Sequence, residues 1–192
     1  MTTLDLAQVA ERVNGFTSTV FRLETLDLYS TSDDGHDFAN YLRGAPGPDP
    51  ARKEPWLDRL RDEHRQGRDR FRVRVLRQPL SDYLRYECEW GYAPNSEAGE
   101  DIRILDLTEP GTAALAVDHD FWLIDQRDVI RMHYDSDGRF TGGELVPGED
   151  VPRYMAVYVA AIMAAEPFGT WWPRHPQYLR ANYRASVTSH DE

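Results

Sequence analysis

The chain has 192 residues, of which 41% are hydrophobic and 11% aromatic, and its formal net charge is −11 at pH 7. This length fits one domain with a hydrophobic core, and the negative charge argues against direct binding of nucleic acid over a broad surface. No run of about 18 or more apolar residues occurs, so we expect neither a membrane-spanning helix nor a membrane partner.

The N-terminal segment MTTLDLAQVAERVNG carries acidic residues in an amphipathic pattern. A secretory signal needs a basic start and an apolar block instead, so we expect a cytoplasmic protein. Cys88 is the only cysteine, which excludes an internal disulfide and a multi-thiolate metal site. Because Glu87 and Glu89 flank the thiol and raise its pKa, we interpret Cys88 as a core residue rather than a nucleophile.

The first third of the chain predicts short helices around one ambiguous segment. Apolar residues at helical spacing predict a helix over 4–13. VFRLETLDLY at 20–29 alternates in polarity and predicts either a strand or an extended arm. Ser32 or Asp33 is the predicted N-cap of a following helix that ends at Gly44.

The segment APGPDP at 45–50 is predicted to be a linker, since prolines and glycine disfavour regular structure. A helix should follow, with Pro55 in its first turn and Gly67 just past its end. FRVRVLRQP at 71–79 alternates apolar residues with arginines, which predicts a strand with one solvent-facing side.

The remaining pattern predicts, in order, a helix over 80–90, a loop over GYAPNSEAGED (91–101), strands at 101–107, 121–125, 128–134 and 140–146, and a helix over 152–165. Because a helix separates 71–77 from 101–106, we expect these two strands to be parallel neighbours. The predicted fold class is α/β, with a mixed, partly parallel sheet flanked by helices.

A single domain is predicted, with three parts. Residues 1–50 are interpreted as an N-terminal helical arm, 51–166 as the α/β core and 167–192 as a C-terminal helical tail. The tail contains the aromatic residues Trp171, Trp172, Tyr178 and Tyr183. These side chains are either an exposed partner-binding patch, centred on the two tryptophans, or a terminal segment that closes over the core.

The order of elements over roughly residues 56–165 resembles one half of a phospholipase D-like domain. A helix ending in glycine leads into FRVRVL, DIRILDL follows, and then an apolar strand, a turn and VIRM. The signature of that superfamily is His, any residue, Lys, four residues, Asp; here Asp118 and Asp120 replace the His and the Lys, and only Asp125 matches. Carboxylates at both positions would repel a phosphate, so the resemblance implies a degenerate signature without phosphodiester chemistry.

The runs PLSDYLRYE, AGEDIRIL, DHDFWLID and MHYDSDGRF, with FRLE at 21–24, resemble an actinobacterial family described as a domain of unknown function. This resemblance covers most of residues 16–146. Its members are similar to companions of helix-turn-helix regulators, encoded beside them or fused to them. The resemblance therefore implies a regulatory or sensing role, with a helix-turn-helix regulator as a partner.

Five polar residues near the predicted strand ends are the candidates for ligand binding: Arg85, Glu87, His119, Asp125 and His133. In α/β sheets the crevice at the carboxyl ends of the strands binds ligands. An alternative for Arg85 and Glu87 is a solvated pair on one helix. If the chain is an enzyme, His119, Asp125 and His133 are the candidate acid/base groups.

We predict no cofactor and no metal for this chain. His119, Asp120, Asp125 and His133 lie close in sequence, but they lack the spacing of a zinc helix or a calcium loop. The sequence therefore predicts a non-catalytic cytoplasmic regulatory domain that binds a small molecule or a helix-turn-helix regulator, and a homodimer is compatible with this. The alternatives are a hydrolase or biosynthetic tailoring enzyme, and a purely structural interaction module.

Overall fold

A computed structural model of the chain describes residues 3–30, 36–110, 112, 115 and 117–182. Within these residues the strands are β1 (Thr3–Leu4), β2 (Thr19–Glu24), β3 (Asp69–Leu76), β4 (Asp101–Asp106), β5 (Phe121–Ile124), β6 (Asp128–Tyr134), β7 (Phe140–Leu145) and β8 (Glu166–Pro167). They form one open sheet in the order β1-β7-β6-β5-β2-β3-β4-β8.

The α-helices in the same part of the chain are α1 (Leu6–Asn14), α2 (Asp37–Arg43), α3 (Pro50–Arg65), α4 (Asp82–Tyr86), α5 (Ala93–Glu97), α6 (Val151–Ala164) and α7 (Phe168–Trp171). A π-helical turn, Glu87–Tyr92, joins α4 to α5. None of the described helices is long and apolar enough to cross a membrane.

The centre of the sheet is parallel and its flanks are antiparallel. Phe71 of β3 pairs with Phe21 of β2 on one side and with Asp101 of β4 on the other, both in parallel register. The predicted parallel pairing of 71–77 with 101–106 is confirmed. β5 lies antiparallel to β2, with Leu123 opposite Phe21, so the segment that predicted either a strand or an arm is a central strand.

Alternation along the strands gives the sheet two different faces. One face, which we call the α6 face, packs on helix α6; its core comprises Phe21, Leu23, Val73, Leu105, Phe121, Leu123, Val129, Tyr154, Val157, Ala161 and Ala165. The helix predicted over 152–165 is confirmed in this position. The opposite face is covered by α1 at one end and by α4, α5 and α7 at the other.

Helix α3 starts earlier than predicted. Asp49 accepts a hydrogen bond from Ala51 N at 3.0 Å, and Pro50 occupies the first helical position, where its missing N–H costs nothing. The predicted linker at 45–50 therefore runs into the helix, and placing Pro55 in the first turn was wrong, since it lies more than one turn inside. Gly67 follows the helix end with φ +70°, as predicted.

The predicted loop at 91–101 is wrong for most of its length. Helix α4 begins after Ser81, whose hydroxyl accepts from Leu84 N at 3.2 Å, and the chain stays helical to Glu97 through the π-helical turn. Pro94 is tolerated there because it lies at the start of α5. The predicted N-cap residues Ser32 and Asp33 lie outside the described residues.

The tail packs into the protein. β8 pairs antiparallel with β4, and Trp171 is 0% exposed in a core cluster with Phe168 and Tyr178. Trp172 is half-buried and stacks on Phe168 with ring centroids 5.9 Å apart. The expectation of an exposed aromatic patch is therefore wrong for Trp171 and Tyr178, and the alternative of a segment closing over the core is confirmed; Tyr183 lies outside the described residues.

Candidate functional site

A pocket of about 310 Å³ lies at the carboxyl ends of the three parallel strands. Because β2, β3 and β4 run in the same direction, their carboxyl ends meet at one edge of the sheet. Leu115 and Val117, from the connection between β4 and β5, face these ends. We call this space the carboxyl-edge pocket; it is lined by Thr25, Leu26, Asp27, Val75, Leu76, Arg77, Leu107, Leu115, Val117 and Asp118.

The carboxyl-edge pocket has apolar walls and a charged rim. Val75, Leu107 and Val117 belong to the core of the α6 face or pack against it. Asp27, Arg77 and Asp118 are exposed at the rim. Small-molecule pockets occupy about 300–1,000 Å³ and combine apolar walls with a few polar groups. The carboxyl-edge pocket has this composition, and its volume lies at the lower end of this range.

Asp120 holds the polar wall of the carboxyl-edge pocket in place. Its side chain is buried and accepts hydrogen bonds from the N–H and the hydroxyl of Thr25, both at 2.8 Å. The hydroxyl of Tyr29 donates to the same carboxylate at 2.5 Å. Asp120 is therefore engaged in positioning the chain after β2.

A network of buried charges lies on the opposite face of the sheet. Glu24 Oε1 is 2.5 Å from Arg72 Nη1 and 2.9 Å from Arg22 Nε, and Tyr92 donates to Glu24 Oε2 at 2.9 Å. Burial alone would raise the pKa of Glu24, but the charges of Arg72, Arg22 and Arg74 outweigh it and hold the pKa well below its usual range. Three arginines thus surround one carboxylate, and Arg72 pairs in addition with Glu100 at 2.9 Å.

Arg74 connects the buried network to the carboxyl-edge pocket. It is 0% exposed, its guanidinium lies 5.0 Å from the centre of the Tyr29 ring, and Nη2 donates to the carbonyl of Leu26 at 2.5 Å. Leu26 also lines the pocket. A fixed positive charge therefore lies directly behind the backbone of the pocket wall.

Asp125 lies at the other edge of the sheet. It follows β5, which runs antiparallel to β2, and its carboxylate accepts from the N–H groups of Thr17, Ser18 and Thr19 at 2.8–3.1 Å. Although burial acts to raise the pKa of Asp125, these hydrogen bonds hold it well below its usual range. Asp125 is separated from His119 by the length of β5, about 20 Å along an extended strand.

The two candidate histidines have different partners. His119 Nε2 lies 3.0 Å from the hydroxyl of Tyr154 on α6, and burial, with the charge of Arg131, lowers the pKa of this imidazole. His133 Nε2 lies 3.2 Å from Glu144 Oε2, across β6 and β7. The structure therefore does not bring Asp125 to the histidines, and none of the three lines the carboxyl-edge pocket.

Arg85 and Glu87 lie on the face opposite α6, and the alternative of a solvated pair is wrong for Arg85, which is buried. Arg85 is buried, pairs with Asp82 at 2.8 Å and donates to the carbonyl of Tyr178 at 3.3 Å, which fastens α4 to the tail. Glu87 is half-buried, and its pKa is raised by burial and by the charge of Glu24. The five predicted ligand-binding residues therefore do not form one site, because they lie on different faces and at different strand ends of the sheet.

A second cluster at the carboxyl edge was not found by sequence reasoning. One ligand atom from each of Asp106, Glu109 and His175 lies within 4.8 Å of the others. Asp106 ends β4, so its position at a predicted strand end was a usable signal. His175 lies in the tail, and no spacing pattern connects it to the other two residues.

The chain is thus an α/β protein with an open, partly parallel sheet and a small pocket at the carboxyl edge of that sheet. Residues 7–173 match the family described as Domain of unknown function (DUF6879), and the chain belongs to this family. The predicted resemblance to a domain of unknown function is confirmed at this level. The match includes α7, so the family pattern extends into the predicted tail. Comparison with curated proteins gives no match.

Proposed function

We propose that this chain is a non-catalytic regulatory domain of the cytoplasm that binds a small molecule in the carboxyl-edge pocket. The observation that carries the proposal is the position of the pocket at the ends of three parallel strands, where α/β proteins bind ligands. The single cysteine, Cys88, is a buried free thiol, which fits a reducing compartment.

The lining residues favour a ligand with an apolar body and a basic or hydrogen-bond-donating end. Val75, Leu107 and Val117 offer apolar contact area, whereas Asp27 and Asp118 place two carboxylates at the rim. Arg77 is the one basic side chain among the lining residues. Since opposite charges attract across a partly desolvated rim, an amine is favoured over a carboxylate at that end.

A non-catalytic role is supported by the separation of the candidate acid/base groups. General acid/base catalysis needs groups within hydrogen-bond reach of one reacting atom. His119 contacts α6, and Asp125 is held at the opposite edge by Thr17, Ser18 and Thr19. The buried charges around Glu24 are engaged with one another.

The regulatory part of the proposal rests on the resemblance of the family runs to companions of helix-turn-helix regulators. The distant resemblance to a phospholipase D-like half-domain is compatible with it, because Asp118 and Asp120 replace the nucleophile and the cation. In this structure Asp118 is exposed at the rim of the pocket, and Asp120 supports the pocket wall. A pocket that persists after loss of the catalytic groups is a natural place for a ligand that regulates.

A ligand screen by nuclear magnetic resonance tests the proposal. The isotope-labelled full chain is mixed with pools of small amines and of small carboxylic acids, and amide shifts are followed. Binders should move the amides of Thr25, Leu26, Asp27, Leu107 and Val117. Binders that move only amides elsewhere would contradict the proposal, and so would an absence of binders in both pools.

A pocket-filling variant provides the matched control. Leu107→Trp places an indole in the space that a ligand needs, so affinity for any binder should decrease by about tenfold or more. Met163→Trp adds the same group at a position that is 82% exposed on α6 and should leave affinity unchanged. Thermal unfolding of both variants verifies the fold, and Asp27→Asn replaces Leu107→Trp if the latter fails to fold.

A further inference from the structure

Asp106, Glu109 and His175 form a compact set of metal-ligand side chains on the face opposite α6. Asp106 and His175 are buried, at 3% and 7% exposure, and Glu109 is half-buried. The three ligand atoms lie within 4.8 Å of one another. The Asp106 side chain shares its face of β4 with Ile102 and Ile104, so the cluster is separate from the carboxyl-edge pocket on the α6 face.

The imidazole of His175 is held in the form that binds metals. Nδ1 lies 2.8 Å from the carbonyl of Trp171, so it carries the proton and donates to that oxygen. The lone pair of Nε2 is then directed away from the Trp171 backbone. The His175 ring also stacks on the Trp171 ring at 4.0 Å. A backbone carbonyl that fixes the tautomer and orientation of a histidine is the usual outer-shell support of a metal ligand.

The two carboxylates are supported in the same way. Asp106 Oδ1 accepts from Thr108 N at 2.9 Å, which leaves Oδ2 for another partner. Glu109 Oε1 accepts from Arg174 Nη2 at 3.2 Å, and Arg174 also pairs with Glu166. Each of the three side chains therefore has one atom held by a hydrogen bond within the fold.

The lone pairs of Asp106 and His175 converge on a single point. Gln78 Nε2 lies 2.6 Å from Asp106 Oδ2 and 3.3 Å from His175 Nε2, so one amide nitrogen serves both acceptors. Gln78 Oε1 accepts from the hydroxyl of Tyr178 at 3.2 Å. A cation at the position of this nitrogen would satisfy the same acceptors, and rotation of the Gln78 amide would offer Oε1 as an additional ligand.

We propose that Asp106, Glu109 and His175 bind a divalent first-row transition metal ion of the zinc type. One imidazole nitrogen with two carboxylate oxygens suits this class, whereas calcium and magnesium prefer oxygen ligands alone. Metal–ligand distances of about 2.0–2.2 Å place the ligand atoms of a tetrahedral site about 3.4 Å apart. The present spread is larger, and the half-buried Glu109, in the turn after β4, is the ligand that moves inward.

Metal binding at this position joins the tail to the sheet. Asp106 and Glu109 lie at the end of β4, whereas His175 follows α7, so the ion bridges two parts of the chain far apart in sequence. Ligands from distant segments are brought together only by folding, and binding energy is then available to the folded state alone. The expected role of the ion is to hold the tail against the carboxyl edge.

Calorimetric titration of the chelator-treated full chain with ZnCl2 tests this proposal. We expect saturable binding of one equivalent of Zn²⁺ and an increase in the melting temperature. Calcium should not compete. Glu109→Gln and Asp106→Asn keep the side-chain volume. Each should weaken Zn²⁺ binding by more than about tenfold, because loss of a residue that only supports a metal ligand already weakens binding by about that factor. His175→Ala should abolish binding, and the two amide variants decide the matter if it does not fold.

His133→Ala is the matched control, since His133 and Glu144 form a partly exposed histidine–carboxylate pair away from the proposed site. This variant should bind Zn²⁺ as the parent does. An absence of saturable binding by the parent would overturn the proposal. Binding that Glu109→Gln and Asp106→Asn leave unchanged, or that His133→Ala removes, would overturn it as well, because the ion would then lie elsewhere.

Discussion

Asp125 accepts a hydrogen bond from the backbone N–H of Ser18 at 2.8 Å, and this contact fastens the turn after β5 to the start of β2. The neighbouring N–H groups of Thr17 and Thr19 donate to the same carboxylate. Asp125 itself has φ +49°, a conformation that aspartate tolerates better than most residues. Asp125 thus has a structural role at the edge of the sheet opposite the pocket.

Asp125→Asn should destabilise the protein by about 1–3 kcal/mol, because the amide replaces an ionised acceptor and turns a donor towards backbone N–H groups. Urea unfolding at pH 7 measures the change. Asp128→Asn is the control: Asp128 pairs with the exposed Arg127, and loss of this surface pair should change stability far less than Asp125→Asn. Equal effects of the two substitutions would contradict the structural role of Asp125.

The stability difference between the parent and Asp125→Asn should depend on pH with a definite sign. The pKa of Asp125 is lower in the folded than in the unfolded chain, mainly because its backbone hydrogen bonds outweigh burial. The stabilisation is therefore complete above the unfolded carboxyl pKa of about 3.9 and is lost as the pH falls towards the folded value. Urea unfolding below pH 4 should show a smaller difference in unfolding free energy between the parent and Asp125→Asn. A difference that stays constant with pH would argue against an ionised Asp125.

Glu24→Gln should destabilise the fold by about 3–5 kcal/mol, since it removes the carboxylate that Arg22, Arg72 and Arg74 share and leaves Arg72 with Glu100 alone. The side chain of Arg72 is only 12% exposed and that of Arg74 is 0% exposed, so water cannot replace the lost carboxylate. Denaturant unfolding at pH 7 provides the measurement. Asp62→Asn, which removes an exposed pair with Arg65, should change stability by less than about 1 kcal/mol.

Most of the sheet was predictable because alternation is a local property. The strands at 71–77, 101–106, 121–125 and 128–134 follow from side-chain period alone, and the helix between the first two requires them to be parallel. The start of α3 was missed because Pro50 was assigned to a linker, although Asp49 caps the helix and proline is tolerated at the first helical position. The π-helical turn was missed because the segment from Gly91 onwards was assigned to a loop. The position of Trp171 in a terminal segment predicts a surface aromatic residue, whereas in the structure Trp171 is buried against β4.

The candidate sites were less predictable than the fold because they are formed by long-range contacts. The expected location of a pocket at the carboxyl strand ends follows from topology, and a pocket does lie there. The side chains assigned to it were chosen for their charge, yet Arg85, Asp125 and His133 are paired elsewhere. The residues that line the pocket are mostly apolar, and sequence alone does not distinguish them from core.

Glu87→Gln should stabilise the protein at pH 8 and have no effect at pH 4. Burial and the charge of Glu24 raise the pKa of Glu87, so its ionised form disfavours the folded state. This penalty is absent below the unfolded carboxyl pKa of about 4.3, grows as the pH rises from there towards the folded pKa, and is complete above the folded pKa. Urea unfolding of both proteins at the two pH values measures it.

Glu97→Gln is the control for the Glu87 variant, because Glu97 is exposed at the end of α5 and its substitution should be neutral at both pH values. Destabilisation by Glu87→Gln at pH 8 would show instead that the carboxylate has a favourable partner. The nearby cations of Arg74, Arg72 and Lys53 are the candidates for that partner.

The purified protein should not hydrolyse bis-p-nitrophenyl phosphate above background. Under the proposed comparison with a phospholipase D-like signature, Asp118 and Asp120 stand in place of the nucleophile and the cation, and Asp120 is engaged with Thr25 and Tyr29. Release of p-nitrophenolate is followed at 405 nm (about the phenolate absorption maximum) with and without added divalent ions. Turnover that His119→Ala abolishes would contradict the non-catalytic proposal and favour the hydrolase alternative.

Lys53 should titrate near pH 8 in the folded protein. Burial lowers the pKa of Lys53 to about 8 and outweighs the charges of Glu87 and Glu100, which act to raise it. The ammonium donates to Asn95 Oδ1 at 2.9 Å and lies in a groove beside Trp90. Because Lys53 is the only lysine, reductive ¹³C-methylation labels one side chain besides the N-terminal amine, and Lys53→Arg identifies its resonance. The chemical shift of this resonance should change with a midpoint near pH 8 in the folded chain and near about 10.4 in urea; a folded midpoint equal to the unfolded one would show that the side chain is solvated rather than buried.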